Sequence, residues 1–376
     1  MKLAVTVLAF CVAALMSLGM VMLYSSSMND PMHGHQVGAH YLVMQSIWCA
    51  LGLVICVAAA SLDYRWLKKL AWPVFIIALV LLTLVLEKHF GVVRGRARRW
   101  FSFGPISLQP SEFAKIALIM VLAWYGEHFQ RKMPTFKRGI LIPGLFIAPV
   151  IGLIFIEPDV GNALLLTAVV CCMLLIAGIK LRYFLPPMMV GLLALGIFLQ
   201  HNQMRSARIY SWLHLEETKQ DKGLQQYQAM LAFGSGGMTG LGLGNGRQKL
   251  GFVPEHHTDF ILSIIGEELG LVATLLVVVA FVVVVGCGLF IASRACDTFG
   301  LLLASGLTLL IGLQAAINIG VVTSALPNKG LPLPFISYGG SNLLAMLTCA
   351  GLLLSVARFS RVEELADDPV GEAQTA

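Results

Sequence analysis

Long apolar runs separated by short polar stretches dominate this chain from end to end. Runs of that length predict membrane-spanning helices, about ten of them, at about 3–24, 41–62, 71–87, 112–125, 139–156, 161–178, 184–200, 259–292, 299–323 and 339–357. The fourth is short and opens on polar residues, which places its start in a cavity. The eighth is longer than a bilayer needs and is expected to tilt or to project from the membrane. The first run shows no small-x-small cleavage pattern ahead of Tyr24, so it reads as a retained helix. The predicted fold class is therefore an all-α integral membrane protein, with a long extracytoplasmic loop between the seventh and eighth spans. Residues 1–357 form one polytopic domain. Residues 358–376 form a cytoplasmic tail whose acidic end (Glu363, Glu364, Asp367, Asp368) is expected to be disordered.

With the N-terminus inside, every inner loop is basic: Lys2; Arg65, Lys68 and Lys69; Arg131, Lys132, Lys137 and Arg138; Lys180 and Arg182; Arg294; Arg358 and Arg361. That asymmetry sets both termini in the cytoplasm. Two outer segments, 88–111 and 201–258, are more than connectors. The first carries Lys88, Arg94, Arg96, Arg98 and Arg99 on the side of the membrane where positive charge is normally scarce. The second is far longer than most loops and holds a short amphipathic helix at 222–237 running into glycines.

Composition narrows the class. The chain has 376 residues, 57% hydrophobic and 12% charged, a balance that excludes a soluble globular domain. The eight cysteines form no CxxC pair and lie mostly in apolar runs, so neither a disulfide framework nor a zinc site is expected. The net charge of +6 suits an anionic lipid surface better than nucleic acid, and no basic-aromatic RNA-binding module is present.

Three stretches carry candidate chemistry. In RGRARRWFSFGPISLQPSEFAK, Glu112 and Lys115 are three residues apart on a helix that Ser111 is placed to cap. They read either as a local ion pair or as groups facing a polar cavity, where ionisable residues at membrane depth carry function. Arg96, Arg98 and Arg99 read either as snorkelling contacts to anionic lipid or as forks for a diphosphate. The second stretch, residues 234–270, holds seven glycines between Gly234 and Gly246, followed by Arg247 and Lys249. It has neither a dinucleotide nor a P-loop pattern, and its glycines offer a flexible loop or amide nests for an anion. Asp259 follows, either an N-cap or a general base. His256 and His257 are adjacent rather than four apart, which argues against a zinc pair, and Glu267 and Glu268 need partners deeper in the same helix. In the third stretch, residues 318–342, prolines and glycines forbid a regular helix, leaving a re-entrant turn or a cavity wall with Lys329, Ser337, Tyr338 and Ser341 as donors.

Together with YSSS at Tyr24 and EPDVGN at 157–162, the motifs ARRW, QPSEFAK, QKLGFVPEHHTDF, GEELG and PLPFISYGG resemble the SEDS family of peptidoglycan polymerases over nearly the whole chain. The NKGLPLPFISYGG run is closer to the septal branch than to the elongation branch. His256 and Asn342 depart from the family's usual alanine and serine. The resemblance implies polymerisation of lipid II at the outer face of the bacterial cytoplasmic membrane, at the division septum. It assigns Asp259 as the essential aspartate and matches Glu112 and Lys115 to the family's glutamate and lysine, read here as catalytic; the charges and donors of the three stretches add Arg96, Arg98, Arg99, Arg247, Lys249, Lys329 and Ser337 as substrate-binding residues. It implies undecaprenyl diphosphate as the leaving group. It further implies a class B penicillin-binding protein as transpeptidase partner, along with other division proteins and membrane lipids. No resident metal or cofactor is read from the chain, although a diphosphate can itself recruit a divalent cation such as Mg2+. A lipid II flippase, an elongation polymerase and a division scaffold remain the alternatives.

Overall fold

The structure, a computed structural model, describes residues 1–27, 35–94, 97–104, 106–201, 203–221, 223–249 and 257–367. Arg96 and His256 fall outside them. Ten long helices answer the ten apolar runs: α1 (Lys2–Ser27), α2 (His35–Ser61), α3 (Trp66–Leu86), α4 (Pro110–His128), α5 (Ile142–Ile156), α6 (Val160–Ile176), α7 (Leu181–His201), α10 (Ile261–Ser293), α11 (Thr298–Val322) and α12 (Gly340–Asp367). Two shorter helices, α8 (Gln203–Leu213) and α9 (Leu224–Gly236), lie in the long outer segment, α9 at the position predicted for an amphipathic helix. Among the described residues, eight helices are long and apolar enough to cross a membrane; α6 is apolar but shorter, and α4 carries the buried charges discussed below.

Apolar residues on all sides make most of these helices good partners for lipid or for one another. Burial separates them. α4, α11 and α12 are largely enclosed, whereas α7 is almost wholly exposed. α11 packs against α4, α6, α10 and α12 and so stands at the centre. At one end of the bundle, Lys68 of α3 bridges Glu127 of α4 (2.7 Å) and Asp297 (2.6 Å), and Asp297 caps α11 through the Gly300 amide. Met1 and Lys2 share a cavity with Ala357 and Arg358, so both ends of the described bundle lie on this side.

Four features differ from the sequence expectation. The outer segment 88–111 folds into an antiparallel sheet of β1 (Gly91–Arg94), β2 (Ala97–Phe103) and β3 (Ile106–Leu108). Its register depends on long-range anchors that a local pattern does not carry. The cap of α4 is Gln109, with Pro110 in the first turn, and Ser111 lies inside the helix accepting a bond from the Gln109 side chain. Proline at that position has no N–H to leave unsatisfied. α10 breaks at Gly270, whose φ of +79° is outside the helical region, so the long eighth run is a short outer half-helix followed by a span. The helix that precedes the tail continues to Asp367, as its Glu, Leu and Ala content favours.

Candidate active site

The outer ends of α4, α6, α10, α11 and α12 converge on the irregular segment 323–339. Asp259 lies in the turn just before α10. It does not cap that helix, since Phe260 occupies the cap position. Hydrogen bonds join its segment to the segment 323–339. The Ser337 hydroxyl donates to the Thr258 carbonyl (2.6 Å), and the Tyr338 amide donates to the His257 carbonyl (3.0 Å). The rings of Tyr41, His257 and Tyr338 pack together with centroids 4.9–6.1 Å apart. Phe335 holds a left-handed φ of +65°, a conformation that bulky residues adopt only when their surroundings force it. The Asp259 carboxylate rests on Gly330: a Cβ there would lie 2.5 Å from Oδ2. Asp259 and Lys329 are half-buried and Gly330 is exposed, so the carboxylate sits at a mouth.

Behind this mouth runs a buried polar network. Lys115 is fully buried, and its ammonium donates to Glu112 Oε1 (2.9 Å), Asn162 Oδ1 (3.2 Å) and Gln314 Oε1 (3.3 Å). Three acceptors for three N–H groups satisfy the charge, which is what makes a buried ammonium tolerable. Asn342, one of the two departures from the family pattern, approaches Glu112 Oε2 at 3.5 Å. Asn162 donates in turn to Asp159 (3.0 Å), and Asp159 meets Arg99 of β2 at 3.5 Å. Arg99 also donates to the carbonyls of Glu157 and Pro158, both at 2.9 Å, which ties the outer sheet to the α5–α6 turn. Glu157 itself is buried, and neither carboxylate oxygen is bonded among the described residues. Burial pushes its pKa up to about 8, Asp159 adds to the rise, and Arg99 opposes it.

The other expected cations divide. Arg98 turns back to the Leu86 carbonyl (3.3 Å), bracing the sheet against α3. Arg247 is exposed, and its backbone amide donates to Glu267 (2.8 Å). Lys249 is buried on Glu268 (2.7 Å), with further bonds to the carbonyls of Ser25 and Gly244. The amides of Gly244, Gly246, Arg247 and Gln248 all point at Glu267 or Glu268. The glycine-rich nest therefore holds the protein's own carboxylates. The structure brings Asp259, Ser337, Lys329 and, through α11, the Glu112–Lys115 pair into one neighbourhood, and leaves Lys249 in a second, self-contained one. Gln314, Asn318 and Asn162 were missed in the sequence. Their signal was the presence of amides inside apolar spans.

A family model described as "Cell cycle protein", covering FtsW, RodA and SpoVE, matches residues 5–362. The chain belongs to this FtsW/RodA/SpoVE family. It is 40% identical over 351 residues to a probable peptidoglycan glycosyltransferase FtsW of Geobacter metallireducens, covering 93% of this chain and 94% of that one. It is 35% identical over 348 residues to the stage V sporulation protein E of Bacillus subtilis, covering 92% and 95%. Among solved structures it is similar to a chain from work titled "Structural coordination of polymerization and crosslinking by a peptidoglycan synthase complex" (TM-score 0.76, 28% identity, 94% and 97% covered). It is also similar to the rod shape determining protein RodA of Thermus thermophilus (TM-score 0.69, 30% identity, 93% and 95% covered).

Proposed function

We propose that this chain is a peptidoglycan glycosyltransferase that polymerises lipid II at the outer face of the cytoplasmic membrane, for septal wall synthesis. The observation that carries the reading is the Asp259 carboxylate, presented at the outer end of the bundle on the Gly330 backbone. Asp259 takes the proton from the 4-hydroxyl of the acceptor sugar. The freed oxygen attacks the anomeric carbon of the donor, and the bond to undecaprenyl diphosphate breaks. Attack opposite an α-linked diphosphate gives a β-1,4 link by inversion, with no covalent enzyme intermediate.

The charge that develops on the leaving diphosphate needs cations. In this reading Arg99 supplies one, its three contacts among the described residues leaving further guanidinium N–H groups, and Lys329 beside Gly330 supplies another. In this reading Arg96, which lies outside the described residues, and the exposed Arg247 also bind substrate. Glu112 and Lys115 act from beneath, because their pair is closed to the surface. The donor set does not suit a resident divalent cation: Glu112 is closed on Lys115, Asp159 is shared with Arg99 and Asn162, and no group of three or more His, Cys, Asp or Glu comes together among the described residues. No step is routed through one.

The buried charges sit at the outer ends of their helices, while Lys68, Glu127 and Asp297 form a part-exposed cluster at the inner end. That separation favours surface chemistry over a charged path for lipid II transport. The cytoplasmic placement of both termini, the class B penicillin-binding protein partner and the other division proteins belong to the same proposal. The test is glycan-strand synthesis from purified lipid II by the detergent-solubilised protein with its cognate transpeptidase. A ladder of strands supports the enzyme. Transfer of lipid II across vesicle bilayers without strands would assign a flippase instead.

A further inference from the structure

α11 carries two amides on one face. Gln314 and Asn318 are four residues apart, so they stack about 6 Å from each other along the helix axis. Both are buried in the most central helix of the bundle. Polar side chains within a span are retained where they do something. Each of these holds backbone that no regular element holds.

Asn318 uses both hydrogens of Nδ2. One goes to the backbone carbonyl of Asp259 and the other to that of Leu331, each at 2.7 Å. The flipped amide would set its oxygen against two carbonyl oxygens, so the orientation is fixed. Oδ1 is then left buried without a partner among the described residues, a penalty accepted for the two donor bonds. The two carbonyls belong to the two segments that define the base. One is Asp259 itself. The other follows Gly330, on which the Asp259 carboxylate rests, in a tight turn closed by the Leu331 amide donating to Lys329 (3.1 Å). A single side chain thus fixes the spacing between the general base and the surface that sets where its carboxylate lies. One turn earlier, Gln314 donates to the Pro332 carbonyl (2.9 Å) and accepts from Lys115, which extends the same clamp to the buried ion pair.

We propose that Asn318 is a positioning residue for glycosyl transfer, clamping Asp259 and the Gly330 turn at one spacing, with Gln314 linking that clamp to Lys115. The proposal rests on the reading of Asp259 as the base. Misplacing a catalytic group by about 1 Å costs on the order of 100-fold in rate. Asn318→Ala is therefore expected to lower kcat for lipid II polymerisation by about 30–100-fold while KM stays within about threefold. Asn318→Ser, which keeps one donor, should fall between it and the wild type. It also serves if the alanine variant does not fold, as judged by gel filtration and thermal unfolding.

Two readouts separate positioning from general structural support. The acidic limb of the kcat–pH profile, which reports the base, should move in Asn318→Ala. The double variant Asn318→Ala/Gly330→Ala should lose little more than the worse single variant, because both displace the same carboxylate. An unchanged kcat, an unmoved limb, or losses that multiply in the double variant would overturn the proposal. Asp259→Asn measured in parallel keeps the two failures apart. If it stays active, the base assignment falls and the proposal with it. If it is inactive while both Asn318 variants match the wild type, only the positioning role falls.

Discussion

Gly330→Ala is the perturbation whose consequence follows most directly from the geometry. A methyl at this position would lie 2.5 Å from Asp259 Oδ2 and 3.5 Å from its Cγ, and no other atom of the described residues outside the chain neighbours comes within 4 Å. Non-bonded heavy atoms are comfortable at about 3.5 Å, so the carboxylate must retreat by about 1 Å. Rotation of a short side chain at a mouth does this without unfolding anything, and the residue is exposed. The fold is therefore expected to survive with its melting temperature nearly unchanged. Catalysis is expected not to survive: a 1 Å displacement of the base corresponds to a loss of about 100-fold in kcat, or about 2.7 kcal/mol in the barrier. The assay is the initial rate of glycan-strand formation from lipid II, with the unfolding temperature measured on the same preparation. A folded Gly330→Ala protein polymerising within twofold of the wild type would refute the claim that the glycine sets the carboxylate's position.

Three further outcomes are expected. Removing one partner of the Glu112–Lys115 pair, as in Glu112→Gln or Lys115→Met, strands a buried charge and should destabilise by about 3–5 kcal/mol; the double replacement should recover most of the stability but not the activity. Glu157 has a folded-state pKa of about 8 against an ordinary 4.5, so the folded protein binds this proton more tightly than the unfolded chain does. Its contribution favours folding below about pH 4.5 and is lost as the pH rises toward about 8, so Glu157→Gln should raise the unfolding temperature at pH 8, leave it unchanged at pH 4.5, and flatten the slope between; no gain at pH 8 would contradict this. Gly270→Ala imposes a φ of +79° on a residue with a Cβ and drives that Cβ into the Gly240 and Met238 backbone, so thermal unfolding should report a loss of about 1–3 kcal/mol.

The spans were legible because run length alone identifies them, and all ten apolar runs became helices. The break in α10 was not legible: Gly270 lies in an apolar run with nothing local to mark a change of direction, and what holds the bend is the distant Gly237–Gly242 backbone. The sheet at 91–108 was hidden for a related reason. Arg98, read as a ligand for phosphate, is a brace to the Leu86 carbonyl, and the Gln109 amide is fixed by Ser341 from the far end of the chain. The glycine-rich stretch left a flexible loop and an anion nest both open, and composition does not say whose anion a nest would hold. The carboxylates lie some twenty residues away at Glu267 and Glu268. Glu112 and Lys115 were legible as charges at membrane depth, and Asp259 as a carboxylate at the start of the eighth span. Gln314 and Asn318 were legible in principle, as two amides at helical spacing inside a span, and only the irregular segment they hold shows why they are there.

The central claim is that Asp259 is the base of a glycosyl transfer. The most direct measurement compares wild type with Asp259→Asn in strand synthesis from purified lipid II, with the cognate transpeptidase present in both. The substitution keeps the size of the side chain and removes the proton acceptor. The expected result is a full glycan ladder from the wild type and none from an equally stable Asp259→Asn protein. Strands from Asp259→Asn at a near wild-type rate would contradict the account.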